Sequence, residues 1–538
     1  MNLVLVLYPL SIQAKMTKNS FKGMGKVLVQ GAPIHGSNGI MFDENDILHI
    51  ASVTGNEIVS MDPKSGQILE RFPALGPDDL TFGPDGSLYY TALMAGLVIR
   101  IEPDGTTTQQ YVAQGVNPIT FSADGRLFVA LDFMGDGLYE LDPQLIAPPT
   151  QIAGPPLTPF LGFLNGMDFG PDGLLYAPVW TGHRVVSINV DASTFAMTTV
   201  CDEDFDTLAA VKFDSQGNLY VADQMKGEVS RIDVETGDKE VIATNIAGLD
   251  NLAFDSRDRL YVSHAGDGSI YEVLPSGQTR MISKGGMIAP GGVAVMSDAQ
   301  AGESVFVADL WTLREFDGLT GKAESVERHD LTVPGDITSP MTVSADGENL
   351  ILSSWFANTV QVWNPETRTL QEEYISFAFP LNAIGFQRDI AVAELGTHSV
   401  IWASDRSPIA GGLFVPAGLA AIGDDLYVCD WASGLVWRIV TDGSPTMTMV
   451  AMGLSNPEGL AVDLDGNLIV VETGVGQLSR INPNAFNEKT VLVEGLEIAV
   501  VTGSIPTWIF NGVAVGSNGD IYVTGDGANV LYRFKPSI

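Results

Sequence analysis

The sequence predicts an all-β protein in which one unit of four short strands occurs twelve times. Two observations lead to this fold class: apolar and polar residues alternate with a period of two, and glycine-centred turns separate the alternating runs. The clearest copy runs from Leu208 to Gly237, and similar phrases begin at intervals of roughly 40 residues. Four antiparallel strands of this length form one blade of a β-propeller, which must stack on its neighbours to bury both faces.

Within the clearest copy, the four strands follow one another along the chain. Val211–Asp214 is the innermost strand, and the turn after it contains Gly217, which tolerates the positive φ of a tight hairpin. Leu219–Ala222 and Glu228–Asp233 are the second and third strands, and Lys239–Ala243 is the outermost. The same order is expected in every copy.

Each copy has a leading residue, which we define as the residue just before its innermost strand. The twelve leading residues are Asn38, Asp78, Asn117, Asn165, Ala209, Asp250, Gly291, Ser339, Asn382, Ala417, Glu458 and Asn511. Propellers typically carry four to eight blades, so twelve copies favour two tandem six-bladed rings over one ring. We expect the first ring in residues 32–286 and the second in residues 287–538.

The two ends of the repeat region are expected to meet. The last copy ends after its third strand, Val530–Phe534, and Lys26–Gln30 belongs to no copy. Because an unpaired strand edge is unfavourable, Lys26–Gln30 is predicted to complete the last blade, so residues 26–31 join the second ring. Residues 1–25 are an apolar lead-in and a candidate signal peptide, which leaves both a cytoplasmic and a periplasmic or secreted location open.

The charge balance narrows the range of partners. The chain has 28 Lys and Arg against 65 Asp and Glu, a net charge of −37. Such a surface repels nucleic acid and anionic membranes, so we expect neither as a partner. The expected partner is a small-molecule substrate. Cys201 and Cys429 form no metal-binding spacing and no disulfide framework. The sequence does not specify an oligomeric state.

Blade geometry sorts the polar residues by face. Because the first two strands of a blade are antiparallel, the leading residue and the end of the second strand lie on one face, the functional face. The first ring places polar leading residues there, namely Asn38, Asp78, Asn117, Asn165 and Asp250. Second-strand ends add Asp132, Asp223, His264, Asp309, Glu394, Asp430 and Glu472. We expect a substrate pocket lined by Trp180, Trp311, Trp355, Trp431, Asp309 and Asp430.

Several repeat phrases resemble known propellers. NGMDFGPDGLLYAP, NLAFDSRDRLYVSH and PEGLAVDLDGNLIVVE are similar to the senescence-marker-protein/gluconolactonase family, to NHL repeats and to virginiamycin B lyase. The gluconolactonase resemblance implies one central divalent ion, Ca²⁺ or Mg²⁺, held by Asp78, Asn117, Asn165 and Asp250. It implies a metal-dependent hydrolase of a small lactone or ester. Asp223 and His264, at second-strand ends on the functional face, are the candidates to move the proton. The family's Glu-x-Pro motif is absent, and Asn38 stands in its place.

Two alternatives stay open. AELGTHSVIW and VETGVGQLSRI resemble strands of virginiamycin B lyase. That resemblance implies a Mg²⁺-dependent lyase in the second ring, with Glu394, Glu458 and Glu472 as metal ligands and His398, with Glu472, in catalysis. The other alternative is a non-catalytic binding propeller of the NHL type, in which Asn and Asp at the leading positions cap turns through their side chains.

Overall fold

The computed structural model describes residues 25–244, 248–298, 302–328, 337–498 and 510–535. Within them the chain forms 48 strands and two short 3-10 helices. The strands make twelve four-stranded antiparallel sheets, as the repeat count predicts, and this architecture is consistent with a propeller fold. Apart from Gly25, the expected lead-in at residues 1–25 lies outside the described residues.

The strand β1 (Gly25–Gln30) precedes the first four sheets. The first sheet contains β2 (Ser37–Phe42), β3 (Leu48–Ser52), β4 (Glu57–Asp62) and β5 (Gln67–Pro73). The second contains β6 (Pro77–Phe82), β7 (Leu88–Ala92), β8 (Leu97–Ile101) and β9 (Thr107–Tyr111). The third contains β10 (Val116–Phe121), β11 (Leu127–Leu131), β12 (Gly137–Leu141) and β13 (Thr150–Ala153). The fourth contains β14 (Asp168–Phe169), β15 (Leu175–Val179), a 3-10 helix (Trp180–Gly182), β16 (Arg184–Ile188) and β17 (Met197–Cys201).

The next four sheets have the same order. The fifth contains β18 (Leu208–Phe213), β19 (Leu219–Asp223), β20 (Glu228–Ile232) and β21 (Lys239–Ala243). The sixth contains β22 (Leu249–Phe254), β23 (Leu260–His264), β24 (Ile270–Val273) and β25 (Thr279–Ser283). The seventh contains β26 (Pro290–Asp298), β27 (Gly302–Asp309), β28 (Thr312–Asp317) and β29 (Ala323–Arg328). The eighth contains β30 (Thr342–Asp346), β31 (Asn349–Ser354), β32 (Thr359–Asn364) and β33 (Thr369–Tyr374).

The last four sheets end with one that joins both ends of the repeat region. The ninth contains β34 (Pro380–Phe386), β35 (Asp389–Glu394), β36 (Ser399–Trp402) and β37 (Pro408–Gly411). The tenth contains β38 (Pro416–Ile422), β39 (Asp425–Asp430), β40 (Leu435–Thr441) and β41 (Ser444–Ala451). The eleventh contains β42 (Pro457–Val462), β43 (Leu468–Glu472), β44 (Gln477–Ile481) and β45 (Lys489–Glu494). The twelfth contains β46 (Val513–Val515), β47 (Ile521–Gly525), a 3-10 helix (Asp526–Ala528), β48 (Val530–Phe534) and β1.

The predicted pairing of the N-terminal strand is confirmed. β1 lies antiparallel to β48, and Lys26 pairs with Arg533 while Gln30 pairs with Val530. The outer edge of the last sheet is therefore covered by the segment that precedes the first sheet.

The innermost strands of neighbouring sheets contact one another. Among the first six sheets the contacts run from β2 through β6, β10, β14 and β18 to β22, and β22 also contacts β2. Among the last six they run from β26 through β30, β34, β38 and β42 to β46, and β46 also contacts β26. The connecting segments lie side by side, since Ala32 N donates to Met287 O at 2.9 Å.

The core lies between neighbouring sheets rather than within any one of them. Ile50 and Val59 of the first sheet pack with Tyr261 and Ile270 of the sixth. Val305 of the seventh sheet packs in the same way in a cluster with residues of the twelfth. A sheet of four short strands buries both faces only through such neighbours.

Two further observations concern single features. Cys201 and Cys429 are buried free thiols, in agreement with the absence of a disulfide framework in the sequence.

In the described part of the chain, no helix has the length and apolar character needed to cross a membrane.

Candidate functional site

The leading residues of several sheets lie in β-bulges. Pro77 pairs with Ala92 and Leu80 with Tyr90, so Asp78 and its neighbour oppose a single residue of β7. Equivalent register shifts follow Ser37, Val116 and Leu249 in the first, third and sixth sheets. A bulge redirects a side chain that the regular alternation would send elsewhere. These bulges allow leading residues from separate sheets to face a common space.

That space is a cavity of about 830 Å³. Five polar leading residues, which we call the polar cluster, line it together: Asn38, Asp78, Asn117, Asn165 and Asp250. The Asn38 amide donates to Asp78 Oδ1 at 3.0 Å, and the Asn117 amide donates to Asn165 Oδ1 at 3.3 Å. The structure thus brings together all four residues predicted as metal ligands, together with Asn38.

The two carboxylates of the polar cluster are poorly compensated. Asp78 Oδ2 and Asp250 Oδ2 are buried and have no hydrogen-bond partner. Burial, followed by repulsion from Asp132, Asp250 and Asp79, holds the pKa of Asp78 well above its usual range. Burial and repulsion from Asp79 raise the pKa of Asp250 to about 7. Buried carboxylates in this condition favour either protonation or a bound cation.

The donor atoms suit a hard divalent cation. Among the described residues, no three His, Cys, Asp or Glu side chains form a group able to hold a metal ion. A site here therefore depends on amide oxygens beside the carboxylates of Asp78 and Asp250. The Asn117 amide nitrogen donates to Asp132 Oδ2 at 2.8 Å, which leaves its oxygen for a ligand, whereas Asn165 Oδ1 already accepts Gly166 N at 2.9 Å. Carboxylate and amide oxygens are ligands that Ca²⁺ and Mg²⁺ accept, so Asp78, Asp250 and Asn117 fit such an ion.

Asp132 contacts the polar cluster through Asn117, and it was not among the predicted metal ligands. It is fully buried, it accepts the Asn117 amide, and its Oδ1 has no partner. Burial is the main cause that raises its pKa well above the usual range. The sequence placed Asp132 on the functional face, and its second-strand position beside a polar leading residue was the available signal.

The two residues predicted to move a proton do not line the cavity within the described residues. Asp223 accepts the backbone N–H groups of Asp206 at 2.8 Å and of Lys226 at 3.2 Å, so it caps a turn. His264 Nδ1 lies 3.2 Å from the backbone nitrogen of Asp267. The His264 ring packs against Gly248 of the cavity wall, where an added Cβ would lie 2.5 Å from the ring.

Three of the four predicted tryptophans line the cavity. Trp180 packs edge-to-face on Phe133 with a centroid separation of 5.2 Å, and its Nε1 is buried without a partner. Trp311 and Trp355 reach the same cavity from the last six sheets. Trp431 is instead buried in the core around the tenth sheet.

The acidic residues at the second-strand ends of the last six sheets hold backbone segments. Each accepts a backbone N–H from the segment that leads into its own sheet. Asp309 accepts hydrogen bonds from the backbone nitrogens of Ile288 and Ala289 at 2.9 and 2.7 Å. Asp430 accepts them from Phe414 and Val415 at 3.0 and 2.9 Å. Glu394 accepts one from Ala378 at 2.7 Å, and Glu472 accepts one from Ser455 at 2.8 Å. Neither Asp309 nor Asp430 lines the cavity in the part of the chain that the structure describes.

Glu458 and His398, the remaining residues of the alternative lyase site, make separate contacts. Glu458 Oε2 accepts Asn511 N at 2.9 Å, while its Oε1 is buried without a partner, and burial raises the pKa of Glu458 to about 8. His398 is exposed in the hairpin after β35, with Nδ1 at 2.8 Å from Phe414 O.

Known proteins similar to the chain include a curated relative and several solved structures. No model of a known protein family matches the chain. A curated relative, virginiamycin B lyase from Nocardia farcinica, is 34% identical over 127 residues, which are 23% of this chain and 44% of the relative. The match therefore spans less than half of that relative's length.

Solved structures similar to the chain include a gluconolactonase and a regucalcin. A gluconolactonase from Xanthomonas campestris is 15% identical with a TM-score of 0.37, over 45% of this chain and 86% of that one. The calcium-binding protein regucalcin from Agrobacterium tumefaciens is 18% identical with a TM-score of 0.35, over 44% and 85%. The resemblance to virginiamycin B lyase and to gluconolactonase-like propellers, which the repeat phrases indicate, is thus confirmed as a resemblance.

Proposed function

We propose that this chain is a metal-dependent hydrolase of a lactone or ester. One observation carries the proposal: two buried carboxylates, Asp78 and Asp250, each present an unpartnered oxygen beside amide side chains in one cavity. Asp78, Asn117 and Asp250 would hold a Ca²⁺ or Mg²⁺ ion, and Asn165 would join them by exchanging one of the two hydrogen bonds that its Oδ1 accepts from Gly166 N and the Asn117 amide. When bound, such an ion supplies Lewis-acid polarisation of a substrate carbonyl.

The surrounding residues position the ligand atoms. The Asn38 amide binds Asp78 Oδ1 and leaves Oδ2 for a ligand, and Asp132 fixes the Asn117 amide so that its oxygen is available. Proton transfer by Asp223 or His264 stays a prediction. His264 is the better placed of the two, since its ring packs directly on the cavity wall at Gly248.

We propose further that the twelve sheets form two closed rings, residues 32–286 and residues 287–538 with 26–31. The contact of β22 with β2 and the contact of β46 with β26 support this division. The clusters that join the first sheet to the sixth and the seventh to the twelfth support it as well. In that arrangement the polar cluster belongs to the first ring.

A direct test is hydrolysis of a panel of lactones and aryl esters. We expect turnover by the full chain in Ca²⁺ or Mg²⁺, loss of turnover after EDTA treatment, and recovery on adding the metal back. The Asp250→Asn variant should lose turnover, whereas Asp238→Asn, a change at an exposed turn, should retain it. Turnover that survives both EDTA and Asp250→Asn would overturn the proposed site.

The second candidate is a lyase of the virginiamycin B lyase type. The relative at 34% identity favours it. Glu394, Glu458, Glu472 and His398 would then be the acting residues, and Glu458 alone among the three glutamates has a buried oxygen without a partner. Product mass separates the two reactions, because hydrolysis adds water and elimination does not. A chain that binds ligands without converting them would favour the third alternative, a recognition propeller.

A further inference from the structure

The cavity that holds the polar cluster is closed in part by the other half of the chain. Four aromatic residues of the last six sheets, which we call the aromatic cover, line it: Trp311, Trp355, Phe356 and Phe379. Ile288 and Leu310 add apolar surface beside them. Trp311 and Trp355 each pack edge-to-face on Phe356, with centroid separations of 5.7 and 6.4 Å.

The aromatic cover faces apolar side chains of the first six sheets across the same cavity. Phe133, Met134 and Met225 line it on that side. Several of these large side chains remain partly exposed, since Phe356 is 37% accessible, Phe379 49% and Phe133 38%. Partly exposed apolar groups that converge on one cavity are typical of a ligand-binding site.

The two tryptophans of the aromatic cover are held in place by buried contacts. Trp311 and Trp355 pack against a core of Ile288, Leu310 and neighbouring residues at the connection between the halves. Asp309 fixes the backbone of Ile288 by a hydrogen bond of 2.9 Å, and Arg314 donates to Gly286 O at 2.7 Å. Trp311 and Trp355 are therefore a fixed part of the cavity wall, and Phe356 and Phe379 extend it from exposed positions in a turn and a connecting loop.

We propose that the substrate is a lactone or ester whose acyl part carries an extended apolar or aromatic group. That group lies between the aromatic cover and Phe133, while the carbonyl faces the polar cluster. The placement of the carbonyl rests on the proposed function, whereas the apolar subsite rests on the cavity wall alone. A volume of about 830 Å³ lies in the upper part of the range for drug-sized ligands, so a small sugar-like lactone would leave most of it filled with water.

The test measures binding without requiring turnover. The neutral fluorescent probe N-phenyl-1-naphthylamine is bound to the full chain in EDTA and displaced by γ-lactones of increasing alkyl length. We expect the Kd of the lactones to fall about three- to fourfold for each added methylene until the cavity is filled. In the double variant Phe356→Ala/Phe379→Ala this dependence should flatten, and probe affinity should fall about tenfold.

A matched control separates the cover from general surface hydrophobicity. Phe486→Ala removes an exposed phenylalanine of the last six sheets that does not line the cavity, and it should leave the series unchanged. A flat series in the unmodified chain, or an equal slope in the double variant, would overturn the proposal. Because the probe reports binding, a chain that shows the series but hydrolyses nothing would refute the proposed function and keep the apolar subsite.

Discussion

At the scale of single residues, the carboxylates of this chain differ in whether both oxygens have partners. Asp430 accepts two backbone N–H groups, and both oxygens of Glu472 are hydrogen-bonded. Asp78 and Asp250 each keep one buried oxygen without a partner. Asp430 and Glu472 therefore hold the loops that precede their sheets, whereas Asp78 and Asp250 are the carboxylates for which we propose a bound cation.

The Asp430→Asn variant tests the structural role. The amide keeps one acceptor but turns its NH₂ group towards a backbone N–H, so the free energy of unfolding should fall by about 1–3 kcal/mol. Urea denaturation measures the change, with the exposed Asp238→Asn as the control. Metal affinity should not change, and a large loss of it would return Asp430 to the binding site.

The sequence could not separate these two kinds of carboxylate. Asp132, Asp223 and Asp430 all stand at second-strand ends, so the local pattern is the same for each. Asp223 and Asp430 bind backbone N–H groups that lie 15–17 residues earlier in the chain, whereas Asp132 binds the side chain of Asn117. The path of the preceding loop decides between these partners, and strand periodicity does not encode that path.

At the scale of elements, the β-bulges at the start of the innermost strands of the first, second, third and sixth sheets carry most of the site. The residue after the leading residue faces the neighbouring sheet at close range. At Gly39 an added Cβ would lie 2.7 Å from the Cα atom of Asp79 in the next sheet. Glycine at this position therefore allows the first and second sheets to approach, and Asn38 to reach Asp78.

The Gly39→Ala variant should separate these sheets. Because the clash is with backbone, we expect a loss of about 1–3 kcal/mol in the free energy of unfolding and weaker metal binding. Gly411→Ala is the matched control, since the nearest atom there, Ser399 Oγ, is 3.4 Å away. Equal stability of the two variants by thermal or urea denaturation would contradict the close approach.

Strand order was more predictable than strand starts. In the fifth sheet the second strand was expected at Leu219–Ala222 and is Leu219–Asp223, and the outermost is Lys239–Ala243 as expected. The innermost strand begins at Leu208, three residues before the expected Val211. Leu208 pairs with Asp223 beyond a register shift, so the strand extends further than expected. The β-bulge at that shift breaks the apolar–polar alternation from which the start of the strand was predicted.

At the scale of the whole molecule, the connection between the halves contains a histidine, His35, whose side chain is 11% exposed. His35 Nε2 lies 2.9 Å from Asp526 O, and burial is the main cause that lowers the pKa of His35 to about 4. Glu57 Oε1 lies 3.9 Å from His35 Nδ1, and Arg71 adds a positive charge nearby. With that pKa the ring is neutral at pH 7, so the contact with Glu57 is not an ion pair there.

This histidine gives a prediction for acid stability. An unfolded histidine has a pKa near 6.5, so the unfolded state binds more protons between about pH 4 and 6.5. The stabilisation is complete above about pH 6.5 and is lost as the pH falls towards 4, by at most about 3 kcal/mol. In His35→Gln the free energy of unfolding should fall less over this range than in the exposed control His183→Gln. Parallel pH profiles would contradict a neutral His35 in the folded protein.

The closure of the last sheet by β1 could be predicted, because a missing strand and a spare strand both show in the sequence. The aromatic cover could not. Trp311 and Trp355 were expected in a pocket, but their approach to the polar cluster depends on how the two halves meet. Phe356 and Phe379 follow no repeated pattern, and only the arrangement of the whole chain brings them to the cavity.

The central claim is that Asp78 and Asp250 hold a divalent ion, and calorimetric titration tests it most directly. Ca²⁺ or Mg²⁺ is titrated into the full chain after EDTA treatment, alongside Asp78→Asn, Asp250→Asn and the control Glu472→Gln. The account predicts one site in the unmodified chain and in Glu472→Gln, with affinity at least tenfold weaker in both aspartate variants. Absence of binding, or an unchanged affinity in Asp78→Asn and Asp250→Asn, would contradict it.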